Sequence, residues 1–137
     1  MKKIFFVVFQ CTWGLAQTLL GAIIFLIHIR YPHKMYRGCI DTKWNSSGGM
    51  SLGLFIFTPG EEDRRTEQVR IHEYGHCIQS LLLGPLYLPV IGIISYTWAN
   101  LSYFKNMRRD KKIPYTACFV EKWASRLGKW ITGEEAI

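Results

Sequence analysis

The amino-terminal part of the chain is dominated by one long apolar run. From Ile4 to Ile29 no residue carries a charge unless His28 is protonated, and the run exceeds the ~20 residues with which a helix crosses a bilayer. This pattern predicts a transmembrane anchor over 4–29. A cleaved signal peptide is the alternative, but its apolar region would be shorter and an A-x-A-like site would follow it.

Polar or small residues interrupt the apolar run at a regular spacing: Gln10, Gly14, Gln17 and Gly21. Steps of three and four residues put all of them on one face of a helix. Amides that face lipid are costly, whereas small residues allow two helices to approach closely. The polar face is therefore predicted to pack against the rest of the protein.

The next part of the chain has the pattern of strands. Segments 36–44 and 50–57 flank the turn-forming residues 45–49, and the second is rich in apolar, β-branched and aromatic residues. This arrangement predicts a β-hairpin over 36–57. An extended substrate could pair with its exposed edge; a hairpin that only covers a site is an equally open alternative.

Helical signals come after the hairpin. Thr66 is placed to cap a helix over 66–83, which Gly84-Pro85 ends. The apolar residues 84–104 contain further helix breakers, so a kinked or re-entrant hydrophobic hairpin is predicted there, with a second full span as the alternative.

The carboxyl-terminal part alternates between polar and helical patterns. Lys105 to Lys112 predicts a basic solvated loop, and Pro114 opens a predicted helix over 114–130. The whole pattern indicates a mainly α membrane protein, in a single domain over residues 1–137.

Charge and cysteine content narrow the possible partners. The chain has 17 basic and 10 acidic residues, a net charge of +7. Basic clusters beside apolar segments suit anionic lipid headgroups, and no nucleic-acid-binding motif accompanies them. The 4 cysteines form no C-x-x-C pair, so a disulfide framework is not expected.

Candidate chemistry lies in the predicted helix over 66–83, where His72, Glu73 and His76 form an H-E-x-x-H motif. Two histidines four residues apart share a helical face and can bind one zinc ion, while the intervening glutamate can act as general base. A pair of ordinary histidines on a helix is the alternative interpretation.

A catalytic zinc normally has three protein ligands. His28 and His33 lie in or beside the anchor rather than downstream of the motif. The downstream acids are Asp110, Glu121, Glu134 and Glu135. Glu121 has helical periodicity around it and is the predicted third ligand, with a surface salt bridge as the alternative.

Other side chains could support such a site. Gln79, one turn beyond His76, could hold a ligand in place or line the pocket, although helix packing explains it equally well. Tyr74, Tyr87 and Tyr115 are candidates to stabilise a developing oxyanion, and the sequence does not rank them.

The motifs resemble those of a known group of enzymes. H-E-Y-G-H followed by E-x-x-A-x-x-L-G resembles the gluzincin pattern, particularly that of membrane peptidases related to the bacterial heat-shock peptidase and the CAAX prenyl peptidase. Those families have their third zinc ligand in an E-x-x-A-D segment, which matches onto Glu121 and Ala124. Ser125 stands where the aspartate would be.

A second resemblance covers most of the chain. Residues 13–21, Ser51-Leu52-Gly53, Gln79-Ser80 and residues 84–88 resemble small bacterial membrane proteins with the same H-E-x-x-H motif. The resemblances imply a zinc metallopeptidase embedded in the bacterial cytoplasmic membrane.

The implied enzyme would cut peptides or membrane proteins with a water activated by Zn²⁺, with Glu73 as general base. The alternative is a non-catalytic zinc-binding scaffold or regulatory protein, which the departure at Ser125 favours. A small transport or regulatory subunit, whose motif is coincidental, would bind no zinc.

Overall fold

The computed structural model describes residues 2–137 and is mostly helical with a small sheet, which confirms the coarse fold class. The helices are α1 Lys3–Thr12, α2 Leu15–Ile27, α3 Arg64–Leu83, α4 Ile93–Asn100, α5 Ser102–Lys111 and α6 Phe119–Thr132. The strands are β1 His33–Tyr36, β2 Cys39–Trp44, β3 Met50–Leu52 and β4 Phe55–Pro59.

The amino-terminal apolar run is two helices, so the single continuous helix predicted over 4–29 is wrong; the two helices together have the length and apolar character of a broken span, and the membrane anchor stays a prediction. α1 and α2 are bent by 95° relative to each other at Trp13–Gly14. Helix α2 has 13 residues and is about 20 Å long, whereas the apolar core of a bilayer is about 30 Å thick. Each helix alone is therefore too short to span it.

The bend results from the contacts that the polar face of these helices makes. Gln10 Nε2 donates to the Cys77 carbonyl at 3.0 Å, and Gln17 Nε2 donates to Ser80 Oγ at 2.7 Å. Both partners lie in the last turns of α3, so α1 and α2 fold around its end. Gln10 and Gln17 are fully buried, as the spacing of the polar residues predicts.

The hairpin predicted over 36–57 is also wrong. The sheet has the order β1-β2-β4-β3, in which β2 and β4 are parallel and β3 pairs antiparallel with β4. The segment 50–57 is two strands, because Gly53 at φ +63° makes a tight turn within it. A second turn, with Gly38 at φ +91°, joins β1 to β2. Strand β3 lies at one edge.

Helix α3 carries the H-E-x-x-H motif through the centre of the protein. It begins after Asp63, whose carboxylate accepts from the Thr66 N–H at 2.8 Å, so Asp63 rather than Thr66 is the cap. Every residue from Val69 to Ser80 is buried. Gly84, at φ +52°, ends the helix.

The apolar segment after α3 changes its helical form twice. A 3₁₀ turn over Gly84–Leu86 leads into a π-helical stretch over Tyr87–Gly92 and then into α4. One 18-residue stretch within Arg64–Asn100 has the length and apolar character of a membrane span. Residues 105–111 belong to α5 rather than to the predicted loop.

Helices α3 and α6 touch backbone to backbone through two glycines. A Cβ on Gly75 would lie 1.8 Å from the Ala124 carbonyl oxygen, and one on Gly128 would lie 2.2 Å from that of Ile71. No other residue type fits at this distance. The contact brings the motif helix directly against the helix that carries Glu121.

A buried ionic cluster joins α3 to the sheet on the other side. Asp41 on β2 is fully buried and accepts from Thr58 Oγ1 and from Arg70 Nε, each at 2.7 Å. Arg70 and Lys43 also donate to Glu62, which is half exposed. Arg70 precedes the motif by two residues, so the cluster sets the position of α3 on the sheet.

We expect Gly75→Ala to destabilise the protein, because its methyl group would collide with the Ala124 carbonyl and force α6 away from α3. Overpacking of this kind costs ~1–3 kcal/mol, although alanine is otherwise the better helix former by ~1 kcal/mol. Thermal unfolding measures the effect. Gly48→Ala is the control, since nothing lies within 4 Å of its Cβ; an unchanged midpoint in Gly75→Ala would contradict the contact.

Acid should weaken the cluster through Glu62. Burial works to raise the pKa of this carboxyl, but the hydrogen bond from Lys43 and the charge of Arg70 outweigh it and lower the pKa from 4.5 to about 2. The ionised Glu62 carboxylate therefore stabilises the folded protein fully above pH 4.5, and this stabilisation is lost as the pH falls towards 2. Unfolding midpoints measured across this range should fall less steeply in Glu62→Gln than in the unsubstituted protein; parallel slopes would contradict this assignment.

Candidate metal centre

The motif histidines and Glu121 converge on one point in the protein interior. His72 Nε2 lies 2.8 Å and His76 Nε2 lies 3.0 Å from the same oxygen, Glu121 Oε2. All three residues are buried, and one potential ligand atom from each lies within 4.8 Å of the others. The predicted third ligand thus meets the two histidines, and the cluster could hold a metal ion.

The Nδ1 atom of His76 has a hydrogen-bond partner, and this partner determines whether Nδ1 carries a proton. Gln79 Nε2 donates to the Val120 carbonyl at 3.0 Å, so Gln79 Oε1 is the atom that faces His76 Nδ1 at 2.6 Å. An amide oxygen only accepts, and His76 Nδ1 must therefore carry a proton. His76 Nε2 faces Glu121 and, with Nδ1 protonated, is the nitrogen that the ring would offer to a metal ion.

His72 is held in the same tautomer by Ser125. The hydroxyl of Ser125 donates its single proton to the Ile137 carbonyl at 2.8 Å, so it accepts from His72 Nδ1 at 2.7 Å. Ser125 makes the type of contact that orients a metal-binding histidine. Nε2 of both rings therefore faces the Glu121 carboxylate, and it is the nitrogen that each ring would offer to a cation.

Glu121 is positioned through its second oxygen. Oε1 accepts from the Tyr115 hydroxyl at 3.1 Å and from the Ser95 hydroxyl on α4. Burial works to raise the pKa of Glu121, but the hydrogen bonds with His72 and His76 outweigh it and hold the pKa well below its usual value. Glu121 is therefore a carboxylate, and its Oε2 is the oxygen that faces both imidazoles.

The spacing of the three atoms suits an ion with short bonds. Around a tetrahedral metal with bonds of about 2.1 Å, ligand atoms lie roughly 3.4 Å apart. The distances of 2.8 and 3.0 Å to Glu121 Oε2 are a few tenths of an ångström shorter. A small outward movement of the side chains accommodates the ion, and the two imidazoles and one carboxylate form a suitable donor set.

Glu73 and His76 lie at the base of a cleft of about 580 Å³. Its walls come from α2, β3 and residues 87–100. They are mostly apolar and include Leu20, Ile24, Leu52, Leu88 and Ile93. We call this space the apolar cleft. Glu73 is only 5% exposed, so its carboxyl lies in a site from which most water is excluded.

The predicted supporting residues lie in different places. Tyr115 lines the apolar cleft, and burial together with the charge of Glu121 raises its pKa well above the usual value, so it stays a donor. Tyr87 also lines the cleft, but its hydroxyl donates to the Ser51 carbonyl at 3.0 Å. Tyr74 packs in the core against Phe6 and is not part of the site.

The other histidines take no part in the cluster. His28 packs against Trp44, and His33 Nδ1 lies 2.8 Å from Thr42 Oγ1.

Two residues that contact the site were not predicted from the sequence. Ser95 lies in an apolar segment with no motif to indicate it, and Gly49 had only a turn signal. A Cβ on Gly49 would lie 2.6 Å from Glu73 Oε1, so the loop before β3 presses directly on that carboxyl.

No family model, curated protein or solved structure matches this chain.

Metal binding should depend on Glu121. In Glu121→Gln an amide replaces the only carboxylate of the cluster, and we expect metal content after purification to fall from about one ion per chain to near zero. Elemental analysis of the detergent-purified protein measures this. Glu67→Gln, which changes an exposed carboxylate on α3, should retain the metal. Equal metal content in the two variants would contradict the assignment of Glu121.

Proposed function

We propose that this protein is a membrane-embedded zinc metallopeptidase in which His72, His76 and Glu121 hold the metal. The observation that supports it most strongly is the hydrogen bonding around the two imidazoles. Gln79 and Ser125 each contact an Nδ1, which leaves Nε2 of both rings facing the Glu121 carboxylate. Two nitrogens and one oxygen in a buried site are a typical donor set for zinc with an open fourth position.

The proposed chemistry uses residues around the cleft. Zinc bound there would polarise the scissile carbonyl and increase the acidity of water. A carboxylate oxygen of Glu73 would take a proton from the attacking water and later deliver it to the leaving amine. Tyr115 lines the same cleft and donates to Glu121 Oε1 at 3.1 Å, beside the proposed metal, and it would transfer that hydrogen bond to the developing oxyanion. Tyr74 lies in the core and Tyr87 donates to Ser51, so Tyr115 is the better placed of the three.

The substrate would be a peptide with apolar side chains. The walls of the apolar cleft supply a suitable surface, and edge strand β3 runs along it. Strand addition would be limited, because the Ser51 carbonyl already accepts from Tyr87 at 3.0 Å. Side-chain contacts with the cleft would therefore contribute more to binding than main-chain pairing along β3.

Apolar side chains on the protein surface support action at a membrane. Helices α1 and α2 expose Ile4, Phe5, Phe9, Leu19, Ile23 and Ile27, and the chain from the end of α3 to the start of α5 exposes Leu82, Leu86, Ile93 and Leu101. Large exposed apolar surfaces of soluble proteins are usually binding sites, and one of these residues, Ile93, also lines the cleft. A lipid bilayer would cover them, with the bent α1 and α2 lying within one leaflet.

A zinc-binding scaffold without activity is the second candidate. Ser125 in place of the family aspartate favours it, since a hydroxyl polarises His72 less than a carboxylate would. The contact of Ser125 with His72 Nδ1 at 2.7 Å favours the enzyme, because the imidazole is still oriented.

Substitution of Glu73 distinguishes the two candidates. Glu73→Gln should keep its zinc and lose peptidase activity by a factor of about 10²–10⁴, because a general base contributes on that scale. Zinc content and cleavage of apolar peptides in detergent would be measured together, with Glu67→Gln as the active control. If the unsubstituted protein binds zinc but cleaves no peptide, the scaffold function is supported and the peptidase is not.

A further inference from the structure

A second cavity meets the apolar cleft at Glu73. It has a volume of about 450 Å³ and is lined by residues of α5 and of the loop before β3. The two spaces have lining residues in common: Gly49, Met50, Glu73, Ala99, Asn100 and Tyr115. Glu73 thus lies where two cavities of different chemistry adjoin, and we call this boundary the neck.

The second cavity is basic. Its lining includes Arg65, Lys105 and Arg108, and Glu73 is the only acidic residue of its wall. We call it the basic chamber. Within residues 2–137 no carboxylate lies within ion-pair distance of these three cations. These three cations therefore make no ion pair with the described residues.

The guanidinium groups of the chamber are held in place without being neutralised. Arg108 donates to the Trp98 carbonyl and lies over the rings of Trp98 and Tyr115, at 4.8 and 5.4 Å from their centres. Arg65 donates to the Ser47 carbonyl at 2.7 Å. Neutral carbonyls and aromatic rings fix the orientation of a guanidinium but leave its charge available to an anion.

We propose that the basic chamber binds a carboxylate of the substrate while the apolar cleft binds the side chains that precede it. The inference rests on the proposed function and deepens it by naming a substrate class, an apolar peptide segment followed by a carboxylate. A chain that passes through the neck runs beside Glu73 and the edge strand, with its apolar part in the cleft. Its carboxylate then meets Arg65, Lys105 and Arg108, whose charge it complements.

Binding to a protein that does not turn over tests this directly. We would use the zinc-loaded Glu73→Gln protein in a non-ionic detergent, with a short fluorescent peptide of leucine and alanine as probe. The peptide with a free terminal carboxylate should bind at least about tenfold more tightly than its carboxamide, the scale of charge-assisted hydrogen bonds. A third peptide, amidated but ending in glutamate, carries its carboxylate on a side chain and not at the terminus. Tighter binding of either carboxylate peptide than of the plain carboxamide supports the proposal.

Matched charge variants separate the chamber from the overall positive charge of the protein. Arg65→Gln combined with Lys105→Gln should abolish the preference for the carboxylate. Lys111→Gln combined with Lys112→Gln removes the same charge from exposed positions outside both cavities and should preserve it. Equal loss in both pairs, or equal binding of carboxylate and carboxamide, would overturn the proposal.

Two further outcomes have a definite meaning. If an anionic phospholipid displaces the carboxylate peptide and a zwitterionic one does not, the chamber is a headgroup site and the proposal fails. Carboxylate preference without cleavage by the unsubstituted protein would refute the peptidase alone, whereas cleavage without carboxylate preference would refute the chamber alone.

Discussion

The arrangement of the site depends on how closely α3 and α6 approach each other. With Gly75 against the Ala124 carbonyl and Gly128 against that of Ile71, the two backbones are in contact. At that separation a glutamate is long enough to bring a carboxylate oxygen to both imidazoles of the facing helix. The buried cluster of Asp41 and Arg70 holds the other side of α3 against the sheet. Helix α3 is thereby fixed from two directions, and the metal ligands need no flexible loop to position them.

Four separate elements contribute to the environment of the ligands. Helix α3 supplies Gln79 for His76, α6 supplies Ser125 for His72, and α4 supplies Ser95 for Glu121. Tyr115 comes from the turn before α6. The chain between α3 and α4, which includes Gly84 at φ +52° and the π-helical stretch, returns Ser95 to the site. A break in an apolar segment thus has a specific consequence for the geometry of the carboxylate.

The meeting of His72 and His76 could be predicted from the sequence because their spacing along a helix is itself the signal, whereas Glu121 on α6 was chosen among the downstream acids. The polar face containing Gln10 and Gln17 could be predicted for the same reason. Strand pairing could not, since a parallel β2–β4 contact depends on Gly53 dividing one apolar run into two strands. The bend between α1 and α2 depends on acceptors at the end of α3, which lie more than 60 residues further along the chain. Helix α3 is buried on all sides from Val69 to Ser80. The contacts of its polar side chains therefore follow only from the tertiary structure and could not be predicted from a pattern of buried and exposed faces.

The meeting of two unlike cavities at Glu73 has a consequence for the release of products. An intact substrate would be retained by both spaces at once, as a bivalent ligand is held through one linker. Cutting the chain at the neck would sever that linkage and leave each fragment attached at only one end. The apolar fragment could then partition into lipid and the charged fragment into water. Release would be driven by the loss of avidity and would carry the products to opposite phases, without any need for a moving lid.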